Sequence, residues 1–281
     1  MANTVFRLMT ELSSRKWVSR LTGSFAKSRA SRKFIPKFIR AYHIPAEEAE
    51  KNIQDYNSLN EFFTRRLRPG MRPIDADPMS LVSPVDAVIT AMGPLQHNVI
   101  PQVKGQDYLL EELLNYSPRM ESYKDGYMFV LYLSPTDYHR IHSPVTGRQT
   151  ESEHIPGKVY PVNDKGMTFM RSVLSRNERL ITYMSHDCGE VAVVKVGALN
   201  VSSIQYADPE RTSWQKGDEL AYFEFGSTVV LLVQQGTFVA NEQLQIGSKV
   251  KMGESLGTLV DLQATRPYRR VAPESIGSIK E

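Results

Sequence analysis

Ser227 could act as a nucleophile, because it follows Gly226 and precedes an apolar run at residues 229–233. Glycine permits backbone angles that other residues avoid, so a strained turn here could let the serine hydroxyl attack the carbonyl of its own preceding peptide bond. Taken alone the pattern is weak evidence, since most Gly-Ser-Thr triplets are turns that enter a strand.

Two histidines, His139 and His142, stand three residues apart after the apolar run 127–133. Imidazole titrates near neutral pH, so the pair suits general acid–base catalysis at the end of a strand. The spacing would also suit a metal, but the other histidines are scattered and Cys188 is the only cysteine, so we predict no metal site. For an isolated pair, a polar strand end is the safer interpretation.

Asp86 begins a predicted strand in the stretch Ser-Pro-Val-Asp. An aspartate in this place is often only a turn former. It could instead orient a histidine, as the acid of a Ser-His-Asp triad does. Asp86, His142 and Ser227 would then supply an acid, a base and a nucleophile within one domain.

These candidates lie in the second of two regions with different sequence patterns. Residues 1 to about 70 carry apolar residues at helical spacing, including a predicted helix over residues 53–67. After Pro73, short apolar stretches separated by Gly, Pro, Asn and Asp are typical of antiparallel β domains. The predicted strands are residues 85–91, 127–133, 190–196, 200–205, 228–233 and 258–260, with one helix at 109–114.

We therefore predict an α+β protein, with a helical N-terminal region followed by a mainly antiparallel β-sandwich or barrel-like catalytic domain. The predicted boundaries are residues 1–70, 71–264 and, for a polar tail, 265–281. The 281 residues are 41% hydrophobic and 23% charged, an ordinary globular composition. A single cysteine excludes a disulfide bond within the chain. The longest apolar run is too short to span a bilayer. We also expect no secretory leader.

The charge is distributed unevenly along the chain. Residues 1–40 hold ten basic side chains and one acidic, a net +9, whereas the remaining 241 residues hold 24 basic and 30 acidic, a net −6. Apolar residues at helical spacing, with Trp17 and several phenylalanines among the basic ones, are typical of helices on an anionic membrane surface. The arm could instead pack on its own domain, which we favour slightly from the arm alone, or bind nucleic acid, which ranks well behind.

Six short motifs occur in order along residues 57–259. They are SLNEFFTRRL at 58–67, SPVD at 83–86, VKG at 103–105, YHRIHSP at 138–144, RNER at 176–179 and FGST at 225–228. As a set they are specific, and through them the chain resembles the phosphatidylserine decarboxylase family, whose members carry a pyruvoyl group. Two departures, Phe225 where leucine is frequent and Ala87 where glycine is common, remove no reacting group.

The resemblance implies that the chain is made as a proenzyme. His142, oriented by Asp86, would deprotonate Ser227, which would attack the carbonyl of Gly226. The amide becomes an ester, elimination breaks the chain, and Ser227 ends as an N-terminal pyruvoyl group with loss of ammonia. The mature protein would pair the fragments 1–226 and 227–281.

The resemblance also implies the reaction, which converts phosphatidylserine to phosphatidylethanolamine through a Schiff base on the pyruvoyl group derived from Ser227, the only cofactor. His139 is the predicted proton donor to carbon, with His142 as second choice. Because the substrate is an anionic lipid, the membrane interpretation of residues 5–40 becomes the favoured one. We expect peripheral binding at the cytoplasmic face of the cell membrane, no nucleic acid and, as the family implies, a homodimer.

Three alternatives stay open. An uncleaved, catalytically silent relative would only bind lipid. A serine hydrolase would use the same triad and leave the chain intact, although the Gly-Ser-Thr turn differs from the Gly-x-Ser-x-Gly elbow of such enzymes. The glycine-rich stretch 247–257 resembles a hairpin of lipoyl or biotin carrier domains, yet Lys249 and Lys251 lack the Met-Lys pair of an attachment site.

Overall fold

The computed structural model describes residues 23–96, 98–103, 105–162, 170–198, 204–224 and 227–261, without the side chains of Gln102 and Ser227. The helical spacing before residue 23, the start of the strand predicted at 200–205, Gly226 and the polar tail lie outside these residues.

The N-terminal part of the described chain is helical, as predicted. The longest helix of this part, Ile35–Tyr42, has a proline in its first turn, where the missing N–H would have no partner in any case. His43 ends the helix in a left-handed conformation. Among the described residues, no helix has the length and apolarity needed to cross a bilayer. The elements are helical residues 23–27, 3₁₀ segments Arg29–Phe34, Ala46–Glu48 and Ile53–Asp55, and α-helices α1 (Ile35–Tyr42) and α2 (Leu59–Phe63).

The single helix predicted over residues 53–67 is wrong in its extent, because the chain starts a new helix after the 3₁₀ segment Ile53–Asp55. The Ser58 hydroxyl caps α2 by accepting a hydrogen bond from the N–H of Glu61 at 3.1 Å. Phe62 then packs in a small core with Ile35. The cap ties α2 to this core instead of letting the helix run on.

The described residues contain sixteen strands, and all pairings between them are antiparallel. They are β1 (Ser80–Val82), β2 (Ala87–Pro94), β3 (Val99–Val103), β4 (Gln106–Leu109), β5 (Tyr127–Leu133), β6 (Arg140–His142), β7 (Gly147–Ile155), β8 (Arg179–His186), β9 (Gly189–Gly197), β10 (Ile204–Tyr206), β11 (Ser213–Trp214), β12 (Glu219–Phe223), β13 (Ser227–Val233), β14 (Phe238–Ala240), β15 (Lys249–Val250) and β16 (Ser255–Leu259). Three short helices lie between strands: α3 (Leu110–Leu113), α4 (Met120–Tyr123) and α5 (Val173–Arg176).

The largest sheet has eight strands in the order β11-β7-β8-β9-β13-β5-β2-β15. In β13, Val229 and Leu231 belong to one hydrophobic core, whereas Val230 and Leu232 belong to another on the opposite face. Burial of both faces explains why this strand is a continuous apolar run and not an alternating one.

Two layers cover the large sheet. The sheets β1-β16-β14 and β10-β12-β6 contribute side chains to the core on one face, and β3, β4 and the three short helices contribute to the core on the other. The predicted α+β class and antiparallel arrangement are confirmed. The described strands form a sandwich-like arrangement with free edges at β11 and β15, and they do not close into a barrel.

Asn177 fastens the end of β9 to a neighbouring loop. Its side chain is fully buried and accepts a hydrogen bond from the Tyr160 N–H at 2.9 Å. Its amide donates to the carbonyls of Tyr160 at 2.9 Å and Gly197 at 2.8 Å. Gly197 is the last residue of β9, so Asn177 holds the strand end in place.

We predict that Asn177→Ala destabilises the fold by about 3 kcal/mol, because three buried backbone groups lose their partner. Equilibrium urea unfolding measures the change. Asn52→Ala is the control, since Asn52 is exposed and its side chain makes no capping hydrogen bond. Equal stability of the two variants would contradict the role given to Asn177.

Candidate active site

Ser227 begins β13 at one end of the large sheet. Its backbone pairs with Leu133, the last residue of β5, and with Gly197, the last residue of β9. The preceding strand β12 ends at Phe223, whose N–H donates to the His139 carbonyl at 3.1 Å. β12 therefore ends next to His139, one of the predicted histidine pair.

The His139 ring is fully buried and packs against the Phe63 ring, with 4.0 Å between ring centroids. Nδ1 lies 2.9 Å from the carbonyl oxygen of Asp137, so Nδ1 carries the hydrogen and donates it. Nε2 has no hydrogen-bond partner in the described part of the chain. Burial lowers the pKa of His139 to about 3, so the imidazole is neutral with a free lone pair on Nε2.

His142 is also buried, and both of its ring nitrogens are engaged. Nδ1 lies 2.7 Å from the Gly217 carbonyl, to which it donates, and the Tyr138 hydroxyl donates to Nε2 at 3.0 Å. Burial lowers the pKa of His142 below its ordinary value and raises the pKa of Tyr138. Nε2 is thus the basic atom, and it already receives a hydrogen bond from a neutral phenol.

Asp86 has a different partner from the one predicted. Arg72 donates from Nε to both carboxylate oxygens, at 2.9 and 3.0 Å, and from Nη2 at 2.5 Å, while the N–H of Met252 donates at 2.9 Å. Asp86 and His142 share no hydrogen bond in the described structure, so the orienting role of Asp86 in self-cleavage stays a prediction. The Gly217 carbonyl orients His142 instead, and the Asp86 charge reaches it only by raising the imidazole pKa against burial.

The sequence analysis missed four residues of this site: Phe63, Arg72, Tyr138 and Gly217. Phe63 and Tyr138 lie inside two of the motifs, which could have pointed to them. Arg72 and Gly217 belong to loops outside those motifs, and only the fold brings them close to Asp86 and His142.

A cavity of about 320 Å³ lies beside these residues. Its lining includes Arg65, Arg72, Asp86, Asp137 and Tyr138. Ser134 also lines it and directly follows the β5 residue that pairs with Ser227, so the cavity lies at the same end of the sheet.

The donor types at this site are imidazole, phenol and carboxylate, but they are not arranged around one point. Across the described ranges, no group of three or more His, Cys, Asp or Glu residues is placed to hold a metal ion. The arrangement can move protons at two buried, neutral imidazoles.

The family model described as phosphatidylserine decarboxylase matches residues 59–258 of this chain. The phosphatidylserine decarboxylase proenzyme of Bacillus mycoides (strain KBAB4) is 41% identical over 260 residues, which are 92% of this chain and 99% of that protein. The phosphatidylserine decarboxylase proenzyme of Geobacillus kaustophilus (strain HTA426) is 42% identical over 257 residues, 92% of this chain and 97% of that protein. The similarity covers all the site residues described above.

The pKa of His139 predicts a pH-dependent stability. The folded state holds this imidazole neutral down to a pKa of about 3, whereas an unfolded histidine titrates at about 6.5. The contribution of the neutral His139 to the free energy of unfolding is therefore fully present above pH ~6.5, and it decreases as the pH falls toward 3. We expect His139 to account for a loss of about 2 kcal/mol between pH 7 and pH 5.

In the His139→Asn variant, the free energy of unfolding should fall by about 2 kcal/mol less between pH 7 and pH 5 than in the parent. Asn can still donate a hydrogen bond to the Asp137 carbonyl, but it does not titrate. Urea unfolding at the two pH values measures it. His43→Asn is the control, since His43 is exposed and Asn tolerates its left-handed backbone. Parallel pH profiles for the parent and the His139 variant would refute the assignment.

Proposed function

The chain belongs to the phosphatidylserine decarboxylase family, and on that premise we propose that it is a proenzyme that cleaves itself between Gly226 and Ser227 and then converts phosphatidylserine to phosphatidylethanolamine. Family membership makes it a decarboxylase, a carbon–carbon lyase. The self-cleavage, the pyruvoyl group and the assignment of residues to steps are the proposal. The observation that carries it is the pair of buried, uncharged imidazoles next to β12, the strand that precedes Ser227 in the chain.

In the proposed first step, the Ser227 hydroxyl gives its proton to Nε2 of His142. The serine oxygen bonds to the carbonyl carbon of Gly226, the peptide C–N bond breaks, and the proton passes to the released nitrogen. Loss of the α-proton of residue 227 then expels the Gly226 carboxylate. Water hydrolyses the resulting enamine, through its imine form, to a pyruvoyl group and ammonia.

The pyruvoyl group would supply a ketone that condenses with the substrate amine and accepts the electron pair released with CO₂. Oγ1 of Thr228, the residue after Ser227 in β13, is buried and lacks a partner in the described residues. A small group with carbonyl oxygens fits such surroundings, because Thr228 can donate to an oxygen.

His139 would act on the substrate amine and supply the proton that the decarboxylation requires. Its Nε2, which has no partner in the described residues, can accept a hydrogen bond from the substrate ammonium and so orient the amine. A proton taken up at this nitrogen could then be given to the carbon that lost CO₂. A pKa of about 3 favours this transfer, because a buried imidazolium gives up its proton readily.

We further propose that residues 1–70 bind an anionic membrane peripherally, on the cytoplasmic face. Phe25, Phe34 and Tyr42 are 49%, 39% and 43% exposed among exposed basic residues such as Arg29 and Lys33. Aromatic rings with a basic surround suit the interface of an anionic bilayer. The pairing of the two mature fragments with each other, and a homodimer of that two-fragment protein, stay predictions that rest on the family alone.

The first prediction from this proposal concerns the mass of the purified protein under denaturing conditions. We expect two species, residues 1–226 and residues 227–281, the second lighter by one ammonia than a fragment with a free serine. Ser227→Ala should give one full-length species, and His142→Ala should slow cleavage by about 100-fold or more.

Ser185→Ala is the control, because Ser185 lies at the far part of β8 and is half-exposed. It should be cleaved like the parent chain. A single full-length mass for the folded parent would remove the decarboxylase mechanism and favour an uncleaved lipid-binding protein.

The second prediction concerns the exposed aromatic residues. The double variant Phe25→Ser/Phe34→Ser should bind vesicles of phosphatidylglycerol and phosphatidylcholine about tenfold more weakly in a flotation assay, because two apolar anchors are lost. The control is Val239→Ser/Ile246→Ser, two residues that are 60% and 61% exposed on the β domain. Equal flotation of the two double variants would rule out the proposed membrane surface.

A further inference from the structure

Arg65 is a buried cation that forms no ion pair within the described residues. Its side chain is only 2% exposed and stacks over the Phe62 ring, 5.2 Å from the ring centroid. Nη2 donates weakly to the Thr136 carbonyl at 3.4 Å, while Nε and Nη1 have no hydrogen-bond partner in the described part of the chain. A buried guanidinium with free N–H groups is expensive in free energy unless something pairs with it.

Arg72, which lines the same cavity, differs from Arg65 because its guanidinium is paired with carboxylates. Arg72 makes ion pairs with Asp86 at 2.5 Å and with Glu48 at 2.8 Å. Both carboxylates are therefore engaged by Arg72, and in the described residues they form no ion pair with Arg65, on which they act only through their charges. Burial even lowers the pKa of Arg65, although an arginine remains charged at neutral pH.

Arg65 lines the cavity of about 320 Å³ at the Ser227 end of the sheet. The third acid in that lining, Asp137, is held by Ser134, whose N–H and hydroxyl both donate to it, at 2.7 and 2.8 Å. Lys249 and Lys251 also line the cavity and are exposed. With four basic and three acidic side chains, the lining has room for one more negative charge.

We propose that Arg65 binds the phosphodiester of the substrate headgroup in this cavity, with Lys249 and Lys251 at its rim. The inference rests on the proposed function. A guanidinium donates strong, charge-assisted hydrogen bonds to phosphate oxygens. The Nε and Nη1 groups of Arg65, which have no partner among the described residues, could each donate one once the side chain turns toward the cavity.

The phosphodiester fits Arg65 better than the substrate carboxylate does. A carboxylate held by a buried arginine would be stabilised in the ground state, and that stabilisation would be lost as CO₂ leaves. The phosphodiester keeps its charge throughout the reaction. Its binding energy can therefore position the amine and carboxylate near residue 227 without opposing the chemistry.

The test begins with binding to the full-length Ser227→Ala chain, which does not depend on self-cleavage. Glycerophosphoserine, inorganic phosphate and free serine are titrated by calorimetry. We expect glycerophosphoserine to bind, Arg65→Gln to weaken it by at least about tenfold, and Arg65→Lys to weaken it less. Arg66→Gln, an exposed neighbour paired with Glu219, should leave the affinity unchanged.

Melting curves establish that each variant is folded. If Arg65→Gln does not fold, Arg65→Lys decides, and an affinity equal to the parent's overturns the proposal. Inorganic phosphate that binds as tightly as glycerophosphoserine, with the same dependence on Arg65, would mean a general phosphate site and would also overturn the headgroup assignment.

Steady-state kinetics give the second measurement, on self-cleaved protein that keeps Ser227. We expect Arg65→Gln to be cleaved normally and to raise KM for phosphatidylserine by about tenfold while kcat changes by less than about threefold. A fall in kcat with unchanged KM would overturn the binding role. If the parent chain neither cleaves nor decarboxylates but Arg65-dependent binding persists, then the proposed function fails while the phosphodiester site stands.

Discussion

β13 is hydrogen-bonded along its whole length to β5 on one side and β9 on the other. Because both of its faces are buried, a slip of one residue would exchange its two apolar sets between the two cores. The pairing therefore has one stable register, and that register places Ser227 opposite the last residues of both neighbours. The regular sheet stops where the candidate nucleophile begins, so loops beyond the strand ends must supply the polar groups around it.

The loop after β5 carries His139 and the short strand β6 ends at His142, and burial determines the protonation state of both histidines. His139 and His142 each donate from Nδ1 to a backbone carbonyl, of Asp137 and Gly217 respectively. A carbonyl fixes the tautomer without adding a charge, and burial then keeps the imidazole neutral. The two Nε2 atoms differ, since one receives a hydrogen bond from Tyr138 and the other is unpartnered in the described structure. The same desolvation thus yields two bases with different surroundings.

The parts of the fold that could be predicted are those whose burial appears in the local sequence. The apolar run 127–133 is β5 to the residue, and β9 and β13 lie within a residue of their predicted bounds. β7 was missed because it is mostly exposed and polar, and β8 because its apolar residues are interrupted by polar ones. The Arg72–Asp86 pair was also missed, since the long-range approach of a loop leaves no spacing signal in either segment.

The helical region and the β domain build the site jointly. Glu48, Phe63 and Arg65 come from the N-terminal region, and each contacts or lines the site: Glu48 through Arg72, Phe63 through His139 and Arg65 through the cavity. The exposed aromatic and basic residues of the same region are fastened to α2, because the Leu59 N–H donates to the buried Ser31 hydroxyl at 2.9 Å. The surface proposed to bind the bilayer and the residues proposed to face the reaction are thus parts of one packed unit. If both proposals hold, such a unit would keep the cavity at a fixed height above the lipid, where a headgroup could reach it without leaving the membrane.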